Sequence, residues 1–190
     1  MRLTSLAIAS FALVTFGSES AAQQKTRAQR ISTTIGISKG AGALTCPFCT
    51  NEGKGGVAGL IGVEKSMRPG LRIGLEADWW MHSGGGASRS VLAAVPVAHL
   101  FPKPDGSFFI KLGVGIARYS ASSDDEELRT TAVAGVLGVG HEIRISDRMV
   151  VIPYLSYLSG HGGTMRLNGA QVTPLGGMSL LQYGLALSRR

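Results

Sequence analysis

The chain is short of charge, of aromatic side chains and of cysteine. Of its 190 residues 16% are charged, 6% are aromatic and two are cysteines. A chain with so few charges is too apolar to stay disordered. Two thiols alone cannot complete a tetrahedral zinc site. Acidic residues are the scarcer sign, 12 against 19 Lys and Arg, which leaves a net charge of +7. That balance suggests an anionic neighbour, nucleic acid or lipid phosphate. The basic residues form no tract interleaved with aromatics, which argues against nucleic acid. After the first two dozen residues no run of eighteen mostly apolar residues occurs, so no transmembrane helix is available. Glycine, in contrast, is plentiful: 27 residues, about twice the usual ~7%. That is too much for a helical bundle, and without a G-X-Y period it is not collagen.

The N-terminus sets the compartment. Arg2 is a short cationic start, and Leu3 to Gly17 (LTSLAIASFALVTFG) is a mostly apolar run. Ser20-Ala21-Ala22 then places small residues at −3 and −1 of a cut before Gln23. This spacing predicts a secretory signal peptide over residues 1–22. No cysteine follows the cut, so a lipoprotein anchor is not expected. Residues 23–30 (QQKTRAQR) read as a flexible lead, and one domain is expected over 31–190.

An exported chain meets an oxidising setting, so Cys46 and Cys49 are expected to form a disulfide in a loop. Their CPFC spacing leaves a redox pair or a metal site open as alternatives. Glycine-rich flanks and the lack of a helical period after the motif disfavour the redox reading.

The rest alternates with period two, the mark of strands with two unlike faces. Eight strands are expected, near 31–38, 56–66, 71–82, 89–101, 108–119, 132–144, 149–158 and 180–188. The third is the clearest. Leu71, Ile73, Leu75, Ala77, Trp79 and Met81 alternate with Arg72, Gly74, Glu76, Asp78, Trp80 and His82. Turns rich in proline, aspartate and glycine at 67–70, 103–106 and 146–148 are short. The connections at 39–55, 82–88, 120–128 and 159–176 are longer. In an up-and-down meander, this order puts all short turns at one end and all longer loops at the other. An outer-membrane barrel has that asymmetry. One face is almost uncharged and suits lipid. The other carries Arg72, Glu76, Asp78, Lys111, Glu142 and Arg144 among glycines, as a lumen charge network would. A buried charge must find its opposite. The fold expected is therefore all-β, an eight-stranded antiparallel up-and-down transmembrane β-barrel. A soluble periplasmic ligand-binding barrel is the alternative.

From Ile31 to Ser188 the chain resembles the small outer-membrane β-barrel family, the OmpA-like barrel domain. The likeness rests on LRIGLEADWW, VLAAVPVAHLFP, FFIKLGVGIARYS, VVIPYLSYLSG and the closing LLQYGLALS. It implies an outer-membrane location in a Gram-negative-type envelope, insertion by the barrel-assembly machinery, and outer-membrane lipid and lipopolysaccharide as neighbours. Family members usually end in an aromatic residue, whereas this chain ends Ser188-Arg189-Arg190. No peptidoglycan-binding domain is expected after the barrel.

Chemistry-bearing motifs are few. The run Asp124-Asp125-Glu126-Glu127 reads as a solvated loop tip, with divalent-cation binding as its functional alternative; it lacks the spacing of a calcium loop. His82-Ser83 and Ser159-Gly160-His161 invite a hydrolase reading, but nucleophilic catalysis also needs an orienting carboxylate within hydrogen-bond reach, and no specific motif supplies one. No catalytic residue, cofactor or metal is assigned. Trp79 and Tyr183 are expected as interface aromatics, and Trp80 at the lumen mouth. The role expected is structural, adhesive or interactive through the loops, by a monomer that is not an enzyme and binds no nucleic acid. A narrow small-solute channel and a lipid A-modifying membrane enzyme are the alternatives.

Overall fold

The computed structural model describes residues 31–46, 53–123 and 126–190. The expected leader, the lead segment, Cys49 and Asp124-Asp125 lie outside them. Eight long strands follow one another: β1 Ile31–Thr45, β2 Lys54–Arg68, β3 Leu71–Gly84, β4 Ala87–Leu100, β5 Phe108–Ser122, β6 Glu127–His141, β7 Met149–Leu167 and β8 Ala170–Arg189. The pair Ile143–Arg144 continues β6 in register against Val151 and Val150, after a break at Glu142. There is no helix among the described residues.

Each strand pairs antiparallel with its sequence neighbour, and β1 pairs with β8, so the sheet closes on itself. The register fixes the shape. A walk from Ser32 to partner after partner passes Glu64, Gly74, Val97, Gly113, Val136, Leu158 and Leu180. It returns to β1 at Gly42, ten residues above its start. A shear of ten on eight strands gives a tilt of about 40°. The strands have 14 to 20 residues, more than the ~9–11 that a tilted strand needs to cross a bilayer.

The two faces of the wall differ as period-two alternation demands. Outward side chains are apolar and exposed all round the barrel: Ile35 62%, Leu92 61%, Val114 67%, Val133 65% and Leu185 57%. A continuous belt of this kind far exceeds the few hundred Å² that a soluble monomer exposes. It needs lipid as its solvent, and the closed ring leaves no strand edge unpaired in that lipid. Inside, a narrow eight-stranded lumen must be filled by its own side chains. Glycine makes room where a large one enters. A Cβ at Gly42 would lie 2.7–2.8 Å from the Trp80 ring.

Three expectations need correction. First, the loop-end connections are less loop-like than their composition suggests. β1 runs on to Thr45, β3 and β4 meet at Gly85-Gly86, and β7 and β8 extend to a two-residue turn at Asn168-Gly169. Both residues of that last turn have positive φ, 49° and 86°, as a type I′ hairpin requires. The ladder persists because backbone pairing needs no apolar alternation once the wall has left the lipid. Second, Trp80 is wholly buried within the lumen instead of sitting at its mouth. Third, Arg144 is exposed at the turn end. It follows the break at Glu142, beyond the last layer that the lumen encloses.

Candidate functional site

The lumen is built in layers, stacked from the turn end upward. At the turn-end rim Arg72 donates to both Glu142 oxygens, at 2.5 and 3.2 Å. Arg190 donates to the same carboxylate, and the Arg72 guanidinium lies 4.4 Å over the Phe101 ring. Burial pushes the Glu142 carboxyl up, but its hydrogen bonds and charge attraction with Arg72 and Arg190 outweigh this and hold it below the usual carboxylate range. Above the rim, His99 Nδ1 lies 3.0 Å from Glu64 Oε2, an ion-pair distance with poor hydrogen-bond direction. The His99 ring stacks on Phe109 at 4.5 Å.

Next come two pairs from successive inward positions of β3. Glu76 pairs with Lys111. Asp78 accepts a 2.5 Å hydrogen bond from Gln182 Nε2, and Ser38 donates to Gln182 Oε1 at 3.4 Å. Asp78 and Gln182 are fully buried, so each depends on the other for what water would otherwise supply. The loop-side half is an apolar plug. Trp80, Leu158, Met178 and Leu180 fill it, and Trp80 Nε1 donates to the Gly40 carbonyl at 3.2 Å. Between the charged layers a cavity of about 20 Å³ remains, bordered by Thr34, Glu64, His99 and Tyr154 among others. That is room for one water, and Thr34 Oγ1, His99 Nε2 and Tyr154 Oη have no protein partner among the described residues.

Of the residues expected inside, Arg72, Glu76, Asp78, Lys111 and Glu142 face the lumen, in two separate clusters. Arg144 instead lines an open mouth of about 280 Å³ with Ser146, Asp147, Met149, Val150 and Arg190. Sequence reasoning missed Glu64, His99, Gln182 and Arg190. Glu64 falls on the inward parity of β2, opposite its apolar outer face, whereas His99 ends the inward face of β4 behind Val91, Ala93, Val95 and Val97, an apolar run that masks it. Gln182 carries no charge to draw notice.

On the outer wall Trp79 covers Gly59, its direct partner across the β2–β3 ladder. Tyr183 faces outward, 57% exposed, opposite Lys39. Ser159 Oγ lies 2.8 Å from His161 Nε2 on the exposed side of β7. No carboxylate holds His161 among the described residues, and none of them form a group of three metal-ligating side chains.

This closed ring with a packed lumen is similar to known structures. Neisserial surface protein A superposes with a TM-score of 0.57 at 9% identity, over 83% of this chain and 96% of that one. The fold is that of the small outer-membrane β-barrels. The attachment invasion locus protein Ail of Yersinia pestis is a second example, with a TM-score of 0.51 at 8% identity over 83% and 97% of the two chains. No protein family and no curated protein matches the sequence itself. Identity this low shows a shared barrel and carries no residue role across. The barrel's own side chains must supply the functional argument.

Proposed function

We propose that this barrel resides in the outer membrane of a Gram-negative-type envelope and acts as a closed platform. Its loop-end hairpins meet structural or adhesive partners, and solutes do not pass through it. The filled lumen carries this reading. Ion pairs, a hydrogen-bonded Asp78–Gln182–Ser38 chain and an apolar plug succeed one another, and the cavity between the charged layers is about 20 Å³. The apolar outer belt supports membrane residence, and the leader-like residues 1–22 support export. Insertion by the barrel-assembly machinery and contact with lipopolysaccharide complete the proposal, with the barrel as a monomer.

The test has two parts. The protein should fractionate with outer membranes and resist carbonate extraction. Purified barrel in planar bilayers should give at most small, rare openings. Recovery in the soluble periplasm would end the membrane reading, and large steady conductance would end the closed-lumen reading.

A further inference from the structure

The two ends of the barrel are charged unequally. The turn end, taken as residues 65–72, 101–107, 142–150 and 189–190, holds eight Lys or Arg against three Asp or Glu, a net of 8 − 3 = +5. The segments that join the strands at the loop end, 39–57, 81–91, 118–129 and 161–177, hold six against five in sequence, a net of 6 − 5 = +1, with Glu52, Asp124 and Asp125 lying outside the described residues. Glu142, one of the three turn-end acids, is already consumed by Arg72 and Arg190. Arg144 has no ion pair among the described residues, and Arg190 Nε is buried with no hydrogen-bond partner. Both line the mouth of about 280 Å³, together with the Ser146 and Asp147 turn.

We infer that this mouth and the cationic collar around it dock the barrel on peptidoglycan, through the carboxylates of its peptide stems. The inference rests on the outer-membrane reading, which places the turn end in the periplasm. Position decides between a lipid headgroup and a polymer. Val150 and Arg190 belong to the inward parity of their strands and the Ser146-Asp147 turn forms the rim, so the mouth opens at the end of the barrel, with Met149 alone contributed from the lipid-facing parity. A ligand must therefore approach from the compartment below the membrane. A guanidinium pairs well with a carboxylate. The polymer repeats such stems, so several weak contacts around the collar add by multivalency. Exposed charge of this kind is screened by salt, and the docking is accordingly salt-sensitive.

Purified barrel in detergent is co-sedimented with purified peptidoglycan sacculi, native or with their carboxylates amidated by carbodiimide. Wild type should sediment with native sacculi, be released by salt, and ignore amidated sacculi. The triple variant Lys103→Gln, Arg144→Gln, Arg148→Gln should bind about tenfold more weakly or worse, with heat-modifiable gel mobility confirming that it is folded. Asp147→Asn removes an opposing charge from the same mouth and should tighten binding, so the proposal stays testable even if the triple variant misfolds. Arg118→Gln with Arg166→Gln, at the loop end, should change nothing. No sedimentation of wild type, equal sedimentation of the triple variant, or undiminished binding to amidated sacculi would overturn the inference. The assay uses isolated components, so its failure leaves the membrane location, tested by fractionation, standing.

Discussion

Glu76 and Lys111 reach each other across the lumen from β3 and β5, and both are nearly sealed from solvent. Removing one partner strands the other charge in a medium that cannot solvate it, at a cost of about 3–5 kcal/mol. Glu76→Ala should therefore lower the urea midpoint of the folded form, read by gel mobility. Glu76→Leu combined with Lys111→Met should restore most of the loss, because no lone ion remains. Thr33→Ala on the outward face should leave the midpoint unmoved. Glu142 at the rim makes a prediction about pH. Its folded carboxyl is held below the unfolded value, so the stability it contributes is present above the unfolded pKa and is lost as pH falls through the folded one. Acidification below the usual carboxylate range should weaken the wild type, and Glu142→Gln should flatten that acid limb. Equal acid sensitivity in both would show that Arg72 and Arg190 do not hold this group. Of the six charges expected in the lumen, parity on β3, β5 and β6 places five there, and Glu64 and Arg190 join them unforeseen. Arg144 shares that parity, but its strand has left the enclosed part of the wall.

At the scale of the strand, alternation located all eight elements because one face meets lipid and the other a packed lumen. It could not locate their loop-end limits. Residues 159–176 are polar and glycine-rich, with no apolar face to defend, yet β7 and β8 stay paired to Asn168-Gly169. Fit within the lumen was equally invisible, since it depends on which strands the shear sets face to face. Gly42 shows this. It lies on β1, next to nothing aromatic in sequence, and a Cβ there would meet the Trp80 ring of β3. Gly42→Val should overpack the apolar plug and cost about 1–3 kcal/mol, with loss of near-ultraviolet dichroism from a displaced Trp80. A native spectrum in that variant would mean that the plug is softer than its packing indicates.

For the molecule as a whole, the wall should not depend on the cysteines. Cys46 follows the last residue of β1, Thr45, and Cys49 falls outside the described residues. The proposed bridge closes a very small ring, and loop-closure stabilisation grows with ring size. Cys46→Ser with Cys49→Ser should assemble as wild type does, judged by heat-modifiable mobility. Failure to assemble would show that the bridge braces the barrel itself.

The seam between β1 and β8 also governs how the barrel can come into being. Thr33 bonds opposite Arg189 and Thr45 opposite Gly177, so the last contact to form joins the two most distant parts of the chain. Contacts of such long sequence separation are slow to reach, because loop closure is unfavourable until they form. A sheet stalled before that step would carry two bare edges into hydrocarbon, where each unpaired backbone group costs several kcal/mol. Half-zipped states are thus excluded inside the bilayer, and the ring either closes or stays outside. Refolding into vesicles should show a single slow phase, with β1–β8 proximity and protease protection appearing together.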